Sequence, residues 1–168
     1  ASVHRPLIAV SKPVFADPDA WKPAHISTQV VQGLRRKFRD KFPTLCRTSK
    51  QDEDESKLLP YPFKDSDIAV VKAYASARGS LVAQLHLPDA ADCADKEAGF
   101  GLDDPVFLRR PDGSEEYLDS GIWLVDAGDY DNDGESELVF AVSRYNTGGY
   151  ELLYDDFRQR ALFLFSYH

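Results

Sequence analysis

Acidic residues crowd one short segment of this chain, Asp126-Ala-Gly-Asp-Tyr-Asp-Asn-Asp-Gly-Glu-Ser-Glu-Leu-Val-Phe140. Asp129, Asp131 and Asp133 alternate along it, Glu137 follows, and Gly134 supplies a sharp bend. Carboxylates held this close repel one another unless a hard cation neutralises them, so the segment reads as a Ca²⁺ loop. An EF-hand would need its bidentate glutamate at position 140. Phe140 stands there instead, inside the apolar run Leu138-Val139-Phe140-Ala141-Val142, which has the composition of a strand rather than an exiting helix. Glu137 therefore closes the acidic set, and the loop joins strands.

The spacing Gly128-Asp129-x-Asp131-x-Asp133-Gly134-x-x-Glu137-Leu138 resembles the calcium loop of FG-GAP repeats, the kind found in integrin-type propellers. The resemblance implies a loop between two antiparallel strands. It also implies Ca²⁺ held by the side chains at positions one, three, five and nine and by the backbone carbonyl at seven. Here those are Asp129, Asp131, Asp133, the Glu135 carbonyl and Glu137. The likeness covers 15 of the 168 residues, in a single copy, with Glu at the ninth position where the family usually has Asp. The flexible coordination of Ca²⁺ accommodates the longer side chain. The ion's expected role is structural, pinning the register of the flanking strands.

A chain of 168 residues is about one domain's worth, and a hydrophobic content of 43% with 12% aromatic residues fits a packed globule. A net charge of −8 argues against nucleic acid or an anionic membrane surface as partner. No stretch approaches the roughly 20 apolar residues of a membrane-spanning helix, so membrane insertion is not expected. The chain starts at Ala1 without methionine, which fits removal of a signal peptide or some other trimming. Cys46 and Cys93 are its two cysteines, both in polar surroundings, and are expected to form a disulfide. A disulfide and a calcium loop both point to a periplasmic or secreted protein, since extracytoplasmic calcium is abundant enough to fill a modest site.

Along the chain, the apolar run 6–10 predicts a short strand, followed by an irregular segment pinned by Pro13, Pro18 and Pro23 around Trp21. Ser27 or Thr28 caps a helix in which Val30, Val31, Leu34, Phe38 and Phe42 share a face, and Pro43 stops it. Arg35, Arg36, Lys37, Arg39 and Lys41 form the opposite face, expected to be solvated. The acidic run 51–56 predicts an exposed loop, and Leu59-Pro-Tyr-Pro-Phe63 an extended segment. From about residue 66 the period becomes that of strands. A hairpin is expected over 68–76 and 80–87 with its turn at Arg78-Gly79, then a small loop around Cys93 ending in Gly99-Phe-Gly101. Strands 105–110 and 115–118 flank Pro111-Asp112-Gly113, and strands 121–126 and 137–145 flank the calcium loop. Strands 149–154 and 161–167 complete the set, with a turn at 146–149.

The expected fold is thus one domain, α+β and predominantly antiparallel β, with a helical part at about 1–65 and a β-rich part at about 66–168. Its form is a meander sheet, sandwich or partial barrel of about eight strands with one N-terminal helix. A propeller needs at least four blades of four strands, so these residues do not make a complete one.

No catalytic arrangement has a specific spacing, so no catalytic residues are assigned and an enzyme is not expected. His4, His25, His86 and His168 are scattered, and no metalloprotease, nucleophile-elbow, phosphate-loop or dinucleotide motif occurs. Asp103-Asp104 and Asp155-Asp156 read as surface acids, and Trp21 and Trp123 as core. Arg144, Tyr145, Asn146 and Tyr150 lie at a hairpin tip with the composition of a recognition surface. The favoured reading is a non-enzymatic calcium module that binds another protein, in one version as an inhibitor or immunity protein of a secreted enzyme. A calcium-dependent carbohydrate-binding or adhesion module is the alternative, and a small hydrolase built from distant loops a third.

Overall fold

The structure, a computed structural model, describes residues 16–49, 57–93 and 102–166. The expected strand at 6–10, the acidic loop at 51–56 and the glycine-flanked end of the Cys93 loop lie outside the described residues. Within them the fold is α+β and mostly antiparallel β: one α-helix and twelve strands in three sheets, none closed into a barrel. Cα packing divides the chain into two compact units, 23–74 with 80–120, and 1–22 with 75–79 and 121–168.

The unit of residues 23–74 and 80–120 holds the helix α1 (Thr28–Lys41). Ser27 caps it by accepting the Val30 N–H at 3.4 Å, satisfying one of the donors that a helix start leaves free. Leu34 and Phe38 are fully buried, as the helical spacing predicts. Gly33 sits where a Cβ would come 2.5 Å from a Glu115 carboxylate oxygen, so the helix approaches that strand through a residue without a side chain. The basic face is less solvated than expected. The Arg35 guanidinium donates to the Ile68 carbonyl at 2.8 and 3.0 Å. Arg39 pairs with Asp65 and lies 4.6 Å over the Phe63 ring, and Lys41 lies 4.5 Å over Tyr117. These cations dock on the helix's own surroundings because their stems cover apolar surface while the charges find partners.

Strands β1 (Lys22–Pro23), β4 (Ala69–Ala75), β5 (Leu81–His86), β7 (Pro105–Arg109) and β8 (Glu115–Ser120) form a five-stranded sheet in the order β1-β4-β5-β7-β8. Val82, Ala83, Leu85, Val106, Phe107 and Leu108 are buried in it. Phe38, Phe42, Tyr117 and Phe107 form a chain of ring contacts from helix to sheet, with centroids 5.1–5.7 Å apart. A second sheet was not foreseen: β3 (Lys57–Pro60), β2 (Leu45–Ser49) and β6 (Ala91–Asp92), in the order β3-β2-β6. Its strands are too short and polar to show a clear alternation in sequence. The Cys46–Cys93 disulfide is formed, with Cα atoms 5.0 Å apart, beside the β2–β6 pairing.

In the other unit, β9 (Ile122–Gly128), β10 (Glu137–Arg144), β11 (Thr147–Tyr154) and β12 (Gln159–Ser166) make an antiparallel meander in the order β12-β11-β10-β9. One face carries Ile122, Leu138, Phe140, Val142 and Leu153, all nearly fully buried. A bulge at Val139/Phe140 shifts the β9–β10 register by one residue just above the acidic loop. The β10–β11 hairpin turns at Tyr145-Asn146, with Asn146 at φ +54°, and is tighter than the turn expected at 146–149. Thr147-Gly148-Gly149 is strand, because the small residues let β12 approach closely. A Cβ on Gly149 would lie 2.0 Å from the Phe163 carbonyl oxygen. Gly149→Ala is accordingly expected to push β11 and β12 apart and to cost about 1–3 kcal/mol. Thermal unfolding checks this, and an unchanged midpoint would show that the strands separate at no cost.

Candidate metal centre

The loop between β9 and β10 is built from side-chain-to-backbone turns. Asp131 accepts the Asp133 N–H at 3.1 Å, and Asp133 accepts the Glu135 N–H at 2.8 Å. Asn132 and Gly134 take positive φ, +69° and +89°, and nothing lies within 4 Å of where a Gly134 side chain would begin. That positive φ is what the bend demands of Gly134.

This backbone course aims carboxylates inward. Asp129, Asp131 and Glu137 each offer an oxygen, and the three oxygens lie within 4.8 Å of one another. Glu137 is 2% exposed, and one of its oxygens accepts the Tyr130 N–H at 2.6 Å. Burial raises its carboxyl above the ordinary glutamate range, the Tyr130 N–H opposes that shift, and the neighbouring charges of Asp131 and Asp133 add to it. Asp129 Oδ1 is buried and has no hydrogen-bond donor. Such an oxygen costs free energy where it stands unless something positive meets it. Three converging carboxylates, one of them with a buried oxygen that no donor meets, form a set that fits a divalent metal ion. Of the five residues expected as ligands, the geometry gathers Asp129, Asp131 and Glu137. The Asp133 side chain stands outside this group, and Glu135, expected to contribute its backbone carbonyl, has its side chain engaged elsewhere.

Its partner is Arg78, which the sequence showed only as half of a turn. Arg78 pairs with Glu135 at 2.7 Å, donates to the Gly134 carbonyl at 3.2 Å and lies 2.6 Å from Asp19 Oδ1. The bond to Glu135, followed by the charge of Asp19, raises its already high pKa. The 16–21 segment is strapped to the same loop. Asp19 N–H donates to Ser136 Oγ at 3.1 Å, Ser136 Oγ donates to Asp17 at 2.6 Å, and Asp129 N–H donates to the Ala16 carbonyl at 2.9 Å. These partners stand more than 100 residues apart in the chain, and no local pattern marks them.

The other residues singled out in the sequence lie elsewhere. Tyr145 is 66% exposed beside Arg144 and Asn146 at the turn, but Tyr150 is not at the tip: Thr147-Gly148-Gly149 being strand, it pairs with Ala141 in mid-strand and is 40% exposed there. Trp21 is half-buried, edge-on to Phe157. Trp123 is not core: it is 36% exposed, because its strand alternates and the apolar neighbours on both sides hid that from the sequence. Asp104 is no idle surface acid. It accepts from Gln84 at 3.1 Å and lies 2.7 Å from His86 Nδ1. Gln84 and His86, two apart on β5, share a face, and that spacing was the missed signal. Among the described residues no helix is long and apolar enough to cross a membrane. Comparison with protein-family models, curated proteins and solved structures finds no match for this chain.

Proposed function

We propose that this chain is a non-enzymatic, extracytoplasmic calcium module in which the ion orders the β9–β10 loop and the protein binds another protein. The observation that carries the metal is the convergence of Asp129, Asp131 and Glu137, with Asp129 Oδ1 buried and without a donor. Calcium fits better than magnesium because the ligands sit on a loop with uneven reach, and Mg²⁺ demands near-ideal octahedral geometry. The Cys46–Cys93 disulfide supports an oxidising compartment, where free calcium is also high.

The partner surface in this reading is the β10–β11 tip, with Tyr145 exposed at the turn and Tyr150 exposed farther along β11. Rigid aromatic side chains on a tight turn supply contact area at low entropic cost. An inhibitor or immunity protein of a secreted enzyme is one concrete form. Calorimetric titration with CaCl₂ and MgCl₂ tests the metal: saturable calcium binding that is lost in Asp129→Asn/Asp131→Asn supports it, and no binding heat at millimolar calcium defeats it. For the partner, a specific protein captured from the source organism's envelope or secreted fraction should be lost with Arg144→Ala/Tyr145→Ala. Capture unchanged by those substitutions would remove the tip from the reading.

A carbohydrate reading has one observation in its favour, the exposed face on which Trp123 and Tyr150 lie two strands apart in a single cross-strand row. A glycan array with and without calcium separates the two. A calcium-dependent hit abolished by Trp123→Ala favours sugar.

A further inference from the structure

The turn before β5 carries Arg78, whose guanidinium divides among three partners. Nε lies 2.6 Å from Asp19 Oδ1, Nη1 donates to Glu135 Oε1 at 2.7 Å, and Nη2 donates to the Gly134 carbonyl at 3.2 Å. The turn, the 16–21 segment and the acidic loop belong to the same compact unit. The two carboxylates differ in setting. Arg78 and Glu135 are both about half exposed, and a pair so placed contributes little by itself. The Asp19 side chain is 7% exposed, and its Oδ1 has the Arg78 charge beside it but no aligned hydrogen bond. Asp19 in turn holds Ser136: its Oδ2 accepts the Ser136 N–H at 3.3 Å, and its own N–H donates to Ser136 Oγ at 3.1 Å. The Ala77 N–H, next to Arg78, donates to the Asp19 carbonyl at 2.7 Å. Gly134, Glu135 and Ser136 are thus fastened, directly or through Asp19, to one cation. Among the described residues no basic side chain pairs with Asp129, Asp131, Asp133 or Glu137.

We infer that Arg78 is the positioning residue of the acidic loop. It fixes the Gly134–Ser136 arm before any ion enters, and it leaves Asp129, Asp131 and Glu137 as the half open to a divalent cation. The first half of this stands on the fold alone, and the second rests on the metal reading above. The clamp accounts for where the remaining acids lie. The guanidinium engages the Glu135 carboxylate, and Asp133 accepts the Glu135 N–H on the arm so held. Two effects of Arg78 on calcium affinity oppose each other. Its charge repels a second cation, whereas its clamp removes freedom that the loop would otherwise lose on binding. The guanidinium is half exposed, so water and salt screen the repulsion. Ordering is not screened, and an arm already held in place costs less entropy when the ion binds. The clamp therefore wins, and loss of Arg78 weakens calcium binding even though a positive charge is removed. A lysine ammonium, as a point charge, reproduces only part of a planar fork that serves three partners at once.

Hydrogen exchange in excess chelator tests the first half. The Glu135 and Ser136 amides should exchange about tenfold more slowly in the wild-type protein than in Arg78→Gln, with the Phe140 and Leu153 amides unchanged as a check on the fold. Arg78→Gln alone leaves Asp19 buried without its cation. The double variant Asp19→Asn/Arg78→Gln removes both charges, keeps the net charge of the wild type, and should show the same loss at Glu135. Arg78→Lys should recover part of the protection. Titration calorimetry with CaCl₂ tests the second half: affinity should fall about tenfold in Arg78→Gln and in the double variant, and recover partly in Arg78→Lys. Wild-type amides that exchange as fast as those of Arg78→Gln would overturn the clamp. Calcium bound as tightly or more tightly by Arg78→Gln would leave Arg78 a repelling charge and overturn its positioning of the site. A wild-type protein that binds no calcium defeats the metal reading and the second half with it, while exchange still decides the first.

Discussion

Removing divalent cations with excess chelator is expected to lower the melting temperature by about 5–10 °C relative to millimolar Ca²⁺, and restoring calcium should reverse it. An ion at a hundred times its dissociation constant stabilises the folded state by about 2.7 kcal/mol. For a chain of this size each kcal/mol moves the midpoint by about 2–4 °C. The gain arises because the ion meets Asp129, Asp131 and Glu137, whose oxygens otherwise share a space 4.8 Å across. The same logic fixes the sign for Asp129→Asn. With calcium present it should destabilise by removing a ligand. With chelator it should stabilise slightly, by up to about 1 kcal/mol, by removing a like charge.

The pH dependence follows from Glu137, whose carboxyl burial raises above its ordinary value of 4.5. A raised carboxyl binds its proton more tightly folded than unfolded. Without metal, its contribution is therefore favourable below 4.5 and is lost as pH rises through the raised value. Calcium holds the ionised form and reverses that slope, since proton and metal compete for the same oxygens. The gap between calcium and chelator melting curves should therefore widen as pH climbs out of the acid range. Superimposed curves at neutral pH would take the metal out of the account altogether.

The elements that could be read from sequence are those whose signal is local. Helix α1 was legible because Leu34 and Phe38 fall at helical spacing behind a Ser27 cap, ahead of Pro43. The β9–β12 meander was legible because the acidic loop and Asn146 interrupt runs of strand-forming residues, although Thr147-Gly148-Gly149, read as turn, belongs to β11. The clustering of Asp129, Asp131 and Glu137 was legible because their spacing brings carboxylates together in one short loop. Missing were features created by distant partners. Arg78 and Asp19 reach the acidic loop only after the chain has folded. The short strands of the β3-β2-β6 sheet acquire their identity from one another, not from any alternation of their own. Trp123 misled for a related reason: its neighbours Ile122 and Leu124 are apolar, and only the register reveals that Trp123 takes the opposite face. The basic face of α1 misled in the other direction, because charge on a helix says nothing about the carbonyl of Ile68 or the ring of Tyr117 waiting opposite it.

Replacing both cysteines, Cys46→Ser/Cys93→Ser, is expected to lower stability by about 4 kcal/mol, or roughly 8–16 °C in melting temperature. The bridge closes a separation of 47 residues, and a loop of that length loses much conformational freedom in the unfolded chain once tied. The effect is amplified by what the bridge tethers. Strand β6 is only two residues long and meets β2 at Leu45↔Asp92 and Cys46↔Ala91, too little pairing to hold itself in place. Reductant added to the wild-type protein should reproduce the serine variant's midpoint, because both act by releasing the same closed loop. The calcium-dependent shift should survive in the cysteine-free protein, since Asp129, Asp131 and Glu137 belong to one unit and the disulfide to the other. A chain whose stability depends this heavily on a disulfide folds best where thiols oxidise, so yield from an oxidising compartment should exceed yield from a reducing one. Equal melting of oxidised and reduced protein would break both the entropic account and the compartment that follows from it.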